Sequence, residues 1–255
     1  MGQNTIIVTG ASRGLGAAAA LIAAAMGANV VLNARSAEAL AEVAGQIEES
    51  GARALVVPGD VTDWDVCQAL VERAVERFGR LDGLINNAGI IEPVQPIAGA
   101  DVERWLYNLR VNVHGPLMLT KAALPQLRQH EGRVINVSSG ASVSVVVGWS
   151  AYCTSKAALN HLTRVLAAEE PRVTALAVRP GIVDTEMQAQ IRREGERGMT
   201  EGEHQRFMQY HQRGQLQPPE KPGRALAALA LRAPRAWSGE FLSWDEGRVQ
   251  RLAGS

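Results

Sequence analysis

Tyr152 and Lys156 are the two side chains of this sequence whose types and spacing best suit proton transfer. Residues four apart on a helix lie on the same face, so the phenol and the ammonium can be neighbours. A free tyrosine has a pKa of about 10, and a nearby positive charge favours the phenolate and lowers that pKa. The pair could therefore give a proton to a substrate oxygen, or take one from it, near neutral pH.

Lysine is rare in this chain, which makes a lysine beside the tyrosine informative. Of the 26 basic residues only three are lysine, at positions 121, 156 and 221, and the others are arginine. A compact ammonium reaches the hydroxyl groups of a ribose more easily than a broad guanidinium does. We therefore interpret Lys156 as a functional residue rather than as a solvated residue on a helix surface.

A glycine-rich loop near the amino terminus has the composition and position of a phosphate-binding loop. It follows an apolar strand and leads into an alanine-rich helix, with the sequence Thr9-Gly10-Ala11-Ser12-Arg13-Gly14-Leu15-Gly16. Glycines let the chain turn sharply and let backbone amides approach a pyrophosphate, while the start of the helix supplies positive potential. The spacing G-x3-G-x-G between a strand and a helix therefore predicts a dinucleotide site.

Strands and helices alternate along the chain, and this alternation must position both groups. Short apolar runs predict seven strands, at 5–9, 29–33, 54–57, 81–86, 133–138, 172–178 and 240–243. Longer stretches predict helices at 14–26, 36–50, 63–78, 151–168 and 223–231, while 102–127 forms one long helix or two joined near Pro116. Such alternation favours a parallel sheet covered on both faces. We therefore predict an α/β fold, a Rossmann-like doubly wound single domain over residues 1–255.

Residues 186–222 interrupt this alternation and predict a helical excursion on the surface. The stretch is polar, with methionine and aromatic residues scattered through it at Met187, Met199, Phe207, Met208 and Tyr210. These side chains could line an apolar substrate pocket, or they could equally pack the excursion onto the body of the protein. In either case we expect the excursion to cover the substrate.

Composition excludes several classes of function. The chain has 255 residues, with 26 basic and 26 acidic side chains and a net charge of zero. A neutral chain lacks the basic excess that binds nucleic acid or an anionic membrane. Two cysteines are too few for a disulfide framework, so we expect free thiols and a cytoplasmic location. The five histidines lack the spacing of a metal site, and we expect no metal.

Five motifs, taken in order, resemble those of the short-chain dehydrogenase/reductase family. Besides the glycine loop and the Tyr152-x3-Lys156 pair, the others are Asp60-Val61, Asn86-Asn87-Ala88-Gly89 and Pro180-Gly181 with Thr185. The resemblance covers most of the chain and implies an oxidoreductase. It also implies which residues line the cofactor: Gly10, Ser12, Arg13, Gly14, Leu15, Gly16, Asn33, Arg35, Asp60, Val61, Asn87, Ala88, Gly89, Tyr152, Lys156, Pro180, Gly181, Val183 and Thr185.

The same resemblance implies a catalytic set of Asn112, Ser139, Tyr152 and Lys156. The serine of such families precedes the tyrosine by about a dozen residues, and we choose Ser139 over Ser138. Its hydroxyl would hold the substrate oxygen, Tyr152 would protonate it, and Lys156 would tune the tyrosine and bind the ribose. Asn112 would support a water-mediated proton path to the lysine.

The end of the second predicted strand favours NADP(H) over NAD(H). NAD-binding domains usually place an acid there to bind the ribose hydroxyls, but this chain has Asn33 followed by Arg35. Arg13 lies within the glycine loop. Arginine binds a phosphate through two parallel hydrogen bonds, so two arginines near one pocket predict the 2′-phosphate of NADP(H).

The substrate is less well defined than the cofactor. Val146, Trp149 and Met187 are candidate substrate contacts and suggest an apolar or aromatic ketone. Stretches such as Ser238-Gly239-Glu240-Phe241-Leu242-Ser243-Trp244 resemble the branch with sepiapterin reductases and benzil-type diketone reductases. We favour an NADPH-dependent ketone or diketone reductase. The alternatives are a pterin reductase, an alcohol or sugar dehydrogenase running oxidatively, and a nucleotide sensor without activity. The family resemblance also implies a homodimer or homotetramer.

Overall fold

Seven parallel strands form one continuous sheet in the computed structural model, which describes residues 3–254. Residues 1, 2 and 255 of the predicted domain lie outside this range. The strands run in the order β3-β2-β1-β4-β5-β6-β7. Their bounds are β1 Thr5–Thr9, β2 Asn29–Asn33, β3 Ala54–Val56, β4 Gly83–Asn86, β5 Arg133–Val137, β6 Thr174–Arg179 and β7 Phe241–Ser243. The fold is therefore the predicted single α/β domain.

Helices cover both faces of this sheet. Their bounds are α1 Gly14–Ala25, α2 Ala37–Glu49, α3 Trp64–Phe78, α4 Val102–Leu109, α5 Gly115–His130, α6 Ser150–Glu169, α7 Glu186–Gly198, α8 Glu201–Gln212, α9 Glu220–Arg232 and α10 Gly247–Gly254. Several helices start at a side-chain cap. Asp101, for example, accepts hydrogen bonds from the amides of Glu103 and Arg104 and so begins α4.

Alternate residues of the buried strands build two separate cores. In β1, Ile6 and Val8 pack with α1, α2 and α9 on one face of the sheet, and Ile7 packs with α3 and α5 on the other. Because side chains of a strand point alternately to opposite faces, a strand buried on both sides must be apolar throughout. This is the reason that β1, β2 and β4 lack the polar alternation of a half-exposed sheet.

The strand order reverses between β1 and β4, which pair directly. Loops that leave the carboxyl ends of these strands diverge to opposite faces, and the crevice between them is where open α/β sheets bind ligands. The glycine loop follows β1, and Asn87-Ala88-Gly89 follows β4. The fold therefore brings two of the predicted motifs to this crevice.

The structure decides between two predicted forms of one element and adds another element. The 102–127 stretch is two α-helices, the second of the predicted forms, and a π-helical turn at Arg110–His114 joins them just before Pro116. The excursion contains α7 and α8, and its Met199 and Phe207 are buried in an apolar cluster. Helix α10 was not predicted, because the segment is short and rich in charged residues and glycine. Within residues 3–254, no helix is both long and apolar enough to cross a membrane.

Candidate active site

The glycine loop and the Asn87 loop are held together across the crevice. The Nδ2 of Asn87 donates to the carbonyl oxygens of Thr9 at 2.9 Å and Gly10 at 3.3 Å. The backbone amides of Asn87 and Ala88 both donate to the Thr9 hydroxyl at 3.0 Å. Thr9 thus fixes the relative position of the two loops, a role that was not predicted from the sequence.

Two glycines of the loop have no room for a side chain. Gly10 has a φ of +64°, in the left-handed region that favours glycine. A Cβ on Gly16 would lie 2.2 Å from the carbonyl oxygen of Gly10 and 2.5 Å from Asn87 Nδ2. The two glycines therefore let the loop pack closely against the Asn87 loop that follows β4.

The start of α1 fits a diphosphate group. Its N-cap is Arg13, and no side chain among the described residues caps the helix there. The first backbone amides of a helix are then free to bind an anion, with the helix dipole favouring negative charge. Leu15 packs into the core, so its backbone, not its side chain, belongs to this site. Thr185 lies against Gly14 from the other side, its Cγ2 3.1 Å from where a Cβ would be.

The Pro180–Thr185 segment forms the second wall of this site. Gly181 adopts a φ of +75°, and Val183 is buried and forms a parallel bridge with Gln217. The amide of Asp184 also donates to the carbonyl oxygen of Gln217 at 2.9 Å. The excursion therefore leaves the body and returns to it at the same place, beside the predicted cofactor residues.

At the end of β2, the candidate nucleotide residues have different environments. Asn33 is fully buried, and its Nδ2 donates to the carbonyl oxygens of Val57 at 3.0 Å and Gly59 at 3.2 Å. Its buried Oδ1 has no hydrogen-bond partner in residues 3–254. Arg13 and Arg35 are exposed. Asn33 thus ties β2 to the end of β3, and the two exposed arginines can reach an anion in solvent.

Asp60 and Val61 follow β3 beside this end of the site. The Asp60 carboxylate accepts from the amide of Thr62 at 2.9 Å and from the hydroxyl of Tyr107 at 3.4 Å. Val61 is buried against Gly115, where a Cβ would lie 3.0 Å from the valine Cγ2. The pair therefore connects the nucleotide end of the site to α4 and α5.

The four candidate catalytic residues lie in one buried region beyond the crevice. Tyr152 and Lys156 share a face of α6, with the Lys156 Nζ 5.6 Å from the centre of the phenol ring. That Nζ donates to the carbonyl oxygen of Val137 at 2.7 Å, which anchors it to the end of β5. Gly89 lies between Lys156 and Asn112, because a Cβ on it would be 3.5 Å and 3.1 Å from their polar atoms.

Burial dominates the pKa values of the tyrosine and the lysine. Burial raises the pKa of Tyr152 to about 12, although a hydrogen bond with the Ser139 side chain acts in the opposite direction. Burial also lowers the pKa of Lys156 to about 8. The expectation of a lowered tyrosine pKa is therefore wrong for this structure, because loss of solvent around the phenol is the largest effect. At neutral pH the phenol is protonated.

The two serines after β5 have distinct roles in the structure. Ser138 is buried, and its hydroxyl donates to the Asn160 side chain at 2.6 Å. Ser139 is less buried, and its Oγ accepts from the amide of Ala141 at 3.2 Å and hydrogen-bonds with Tyr152. These contacts favour Ser139 as the catalytic candidate. Its side chain hydrogen-bonds with the tyrosine, whereas the Ser138 hydroxyl is bonded to Asn160.

Asn112 holds the segment after Asn87-Ala88-Gly89 in place. It is fully buried in the π-helical turn, and its Oδ1 accepts from the amide of Ile90 at 2.9 Å. Its Nδ2 lies within hydrogen-bond distance of the Ile90 carbonyl oxygen at 2.9 Å, Asn108 Oδ1 at 2.9 Å and Ser155 Oγ at 3.0 Å. The amide thus binds both backbone groups of Ile90, a role that the sequence analysis did not predict.

The candidate substrate residues belong to a third apolar cluster, which we call the substrate-side cluster. Its buried members are Ile91, Val94, Ala141, Val146, Trp149, Tyr152, Ile191, Met199 and Phe207, with Met187, Cys153 and Tyr210 partly buried against them. The Trp149 ring lies 5.2 Å from that of Phe207 on α8 and 5.7 Å from that of Tyr152. Met187, Met199, Phe207 and Tyr210 of the excursion therefore pack it onto the body, and they do so beside the tyrosine.

Close backbone contacts hold the excursion in this position. A Cβ on Gly148 would lie 2.2 Å from the carbonyl oxygen of Gly198 at the end of α7. A Cβ on Gly198 would lie 2.0 Å from the carbonyl oxygen of Val94. Glu203 of α8 also accepts a hydrogen bond from the amide of Val147 at 3.3 Å. The loops after β4 and β5 and the end of α7 thus meet without intervening side chains.

Asn108 and Ser155 also belong to the site, although neither was predicted from the sequence, and Gln188 is a further buried polar residue on α7. Asn108 lies one turn before Asn112, and its Nδ2 donates to the carbonyl oxygens of Ile90 and Glu92. Ser155 donates to the Tyr152 carbonyl oxygen at 2.9 Å. Gln188 is buried on α7, and its Oε1 has no partner within the described part of the chain. The i, i+4 spacing of the two asparagines was the available signal.

Comparisons with known proteins identify the family that this chain resembles. A family model described as short chain dehydrogenase matches residues 4–196. A benzil reductase ((S)-benzoin forming) of Saccharomyces cerevisiae is 39% identical over 205 residues, 76% of this chain and 78% of its own. A cis-4-hydroxycyclohexanecarboxylate dehydrogenase of Sinomonas cyclohexanicum is 35% identical over 250 residues, 96% of each chain.

A solved structure shares the whole fold. The crystal structure of a short chain dehydrogenases/reductase from Saccharomyces cerevisiae matches this chain with a TM-score of 0.93 and 36% sequence identity. The match covers 98% of this chain and 99% of that one. The similarity therefore includes the excursion and the carboxyl-terminal elements as well as the sheet.

Proposed function

Because this chain belongs to the short-chain dehydrogenase/reductase family, we propose that it is an NADPH-dependent reductase of apolar or aromatic ketones and diketones. The observation that carries the proposal is the buried, protonated Tyr152, hydrogen-bonded with Ser139 and packed in the substrate-side cluster. A proton donor in an apolar site suits a carbonyl compound with apolar substituents.

The residues present would divide the reaction between them. When bound, the reduced nicotinamide supplies the hydride for the carbonyl carbon. Ser139 would hold the carbonyl oxygen, and the phenol of Tyr152 would give it a proton as negative charge develops. Lys156, anchored to the Val137 carbonyl oxygen at 2.7 Å, would bind the ribose hydroxyls and stabilise the phenolate that remains. Asn112 would keep Ile90, and so the loop before it, in position.

The pKa of Tyr152 favours reduction over oxidation. With a pKa of about 12, the phenol begins the reaction as an acid, as reduction of a carbonyl requires. Oxidation of an alcohol would need the phenolate, which burial disfavours. The second candidate is nevertheless an alcohol dehydrogenase running oxidatively, because the similar Sinomonas protein is named a hydroxycyclohexanecarboxylate dehydrogenase.

We propose NADP(H) as the cofactor on the basis of charge at the adenosine end. Arg13 and Arg35 are exposed, and residues 29–36, which form β2 and the turn after it, contain no acid of the kind that many NAD-binding domains place there. Arg35→Asp should reverse a preference for NADPH over NADH, measured as the ratio of the two dissociation constants by fluorescence titration. The same charge change at the exposed Arg73 of α3 should not. An unchanged ratio in Arg35→Asp would contradict the assignment.

A pterin substrate has less support. The acid near the carboxyl terminus that could anchor a pterin is Asp245, which is exposed. Its carboxylate accepts a hydrogen bond from the hydroxyl of Ser243, so it is engaged within its own turn. The apolar character of the substrate-side cluster also favours a less polar substrate.

We also propose that the chain forms a homodimer or homotetramer through α4, α5 and α6. These helices carry apolar side chains exposed to solvent in the single chain, at Val102, Leu106, Leu117 and Val165. Exposed apolar patches often mark contacts between subunits. The free cysteines Cys67 and Cys153 are consistent with a reducing, cytoplasmic environment.

NADPH oxidation against a panel of carbonyl compounds tests the proposed function. The panel contains aromatic 1,2-diketones, aromatic monoketones, pterins and sugars, and the reverse reaction is measured with NADP⁺ and cyclic alcohols. We expect the highest kcat/KM for the diketones and aromatic ketones. Faster oxidation of the alcohols would favour the second candidate. Tight NADPH binding without turnover of any compound would indicate a nucleotide sensor and contradict the proposal.

A further inference from the structure

Asn160 is a buried polar residue of α6 to which the proposed reaction gives no direct part. It is 7% exposed and lies eight residues after Tyr152 on the same helix. Its Oδ1 accepts a hydrogen bond from the Ser138 hydroxyl at 2.6 Å, and its Nδ2 donates to the Ser142 hydroxyl at 2.8 Å. Both ends of the amide therefore bind the same stretch of chain, residues 138–142, which we call the Ser139 loop.

These two bonds hold the Ser139 loop from both sides of Ser139. Ser138 directly precedes Ser139, and Ser142 ends the short 3-10 helical turn Gly140–Ser142 that follows it. The Ser142 hydroxyl accepts from Asn160 and also donates to the Ser139 carbonyl oxygen at 2.6 Å. The backbone of Ser139 is thus connected to Asn160 through a serine on each side.

One side of α6 presents the tyrosine and also anchors the chain that leads to Ser139. Residues at i, i+4 and i+8 lie along one stripe of a helix, so Tyr152, Lys156 and Asn160 form a row. Lys156 donates to the carbonyl oxygen of Val137 at 2.7 Å, and Asn160 binds the loop just beyond it. The position of the Ser139 hydroxyl relative to the phenol therefore depends on how firmly the loop is attached to α6.

We propose that Asn160 is a positioning residue that fixes the Ser139 loop to α6 and so sets the position of the Ser139 hydroxyl relative to Tyr152. This inference rests on the proposed reductase function, in which the serine holds the substrate oxygen that the tyrosine protonates. Groups that act together in this way must be held within about 0.5 Å of their productive geometry, and a misplacement of about 1 Å can cost about 100-fold in rate.

Alanine at position 160 removes both links at once, whereas Ser138→Ala leaves the link through Ser142. We expect Asn160→Ala to lower kcat for 1,2-diphenylethane-1,2-dione about 10-fold, with the dissociation constant for NADPH within about twofold of wild type. The matched control is Thr163→Ala, which removes another buried bond between β5 and α6, donated by the Asn136 side chain at 2.9 Å. The control should lower Tm and leave kcat within about twofold of wild type.

A double variant shows whether Asn160 acts through Ser139. In Ser139→Ala there is no hydroxyl to position, so the addition of Asn160→Ala should change the remaining kcat by less than about twofold. A similar loss of kcat with and without the serine would indicate a general structural role and overturn the inference. Unchanged kcat in Asn160→Ala alone would overturn it as well.

Ser142→Ala is the milder variant, for use if Asn160→Ala folds poorly. It removes one of the two links and should lower kcat about threefold, again only when Ser139 is present. A crystal structure of either variant gives a readout without turnover, and we expect the Ser139 Oγ to lie about 0.5 Å or more from its wild-type position relative to Tyr152. An unmoved Oγ would contradict the inference. If this Oγ moves but the wild-type protein binds NADPH and reduces no carbonyl compound, the positioning role stands and the proposed function fails.

Discussion

Replacing Asn112 with alanine tests how the π-helical turn supports the site. The Asn112 amide accepts from the Ile90 N–H at 2.9 Å and contacts Asn108 Oδ1 at 2.9 Å through its Nδ2. In the described part of the chain, the variant leaves both of these groups without their side-chain partner. The Ile90 carbonyl keeps its bond from Asn108 Nδ2, and Ser155 keeps its bond to the Tyr152 carbonyl.

The expected loss in the free energy of unfolding follows from these two unpaired groups. A buried polar group that loses its partner costs about 1–3 kcal/mol, so the two together predict a loss of about 2–6 kcal/mol. Ile90 is half-buried, and water can replace part of the lost bond at its amide. We therefore expect the free energy of unfolding to fall by about 3 kcal/mol, which corresponds to about 6–12 °C in Tm for a chain of this size.

Urea unfolding followed by circular dichroism measures this loss, and NADPH titration measures its effect on the site. Because Ile90 follows the Asn87 loop directly, Asn112→Ala should also weaken NADPH binding. The control is Asn29→Ala at the opposite end of the sheet, where the amide donates to Thr5 and accepts from Arg53. The control should lose stability but bind NADPH normally. Unchanged stability in Asn112→Ala would refute the reasoning.

Three further predictions concern neighbouring residues. Ser139→Ala should lower kcat about 100-fold or more, whereas Ser138→Ala should lose about 1 kcal/mol of stability and keep most turnover; equal losses of kcat would contradict this. Gly16→Ala should abolish NADPH binding, because the new Cβ would lie 2.2 Å from a carbonyl oxygen, whereas Gly45→Ala, with no described atom within 4 Å, should not. The pKa of Lys156 is about 8, so kcat/KM for NADPH should fall as pH rises through about 8 and the ammonium is lost; a flat or rising profile between pH 7 and pH 9 would argue against it.

Local spacing predicted the parts of the site that depend on short stretches of chain. The glycine loop follows β1 and opens α1, as its strand-loop-helix context required. Tyr152 and Lys156 share a face of α6 because four residues make about one helical turn. The sheet and its two-sided core followed from strands that are apolar at consecutive positions.

Features that depend on distant packing could not be predicted in the same way. The sequence leaves open whether the apolar residues of the excursion line a pocket or pack it onto the body, and only the folded chain shows Phe207 against Trp149. The spacing of Tyr152 and Lys156 predicts a lowered tyrosine pKa, because it shows the nearby ammonium but not the loss of solvent around the phenol. Burial is a property of the whole fold.

The role of Asn112 illustrates the same limit. The sequence predicts that Asn112 supports a water-mediated path to Lys156, and this stays a prediction. The contacts with Ile90 depend on a π-helical turn, for which the residue pattern of 110–114 contains no clear signal. Rare backbone geometry of this kind is often found at functional sites, and here it lies next to Gly89 and Lys156.

The most direct test of the account is the turnover of Tyr152→Phe with an aromatic ketone or diketone. The variant keeps the ring against Trp149 and removes only the hydroxyl. We predict that kcat falls by about 100- to 10,000-fold while the dissociation constant for NADPH stays within about twofold of wild type. Tyr210→Phe, a change in the same cluster, should leave kcat unchanged. Turnover retained in Tyr152→Phe would contradict the central claim that this phenol protonates the substrate.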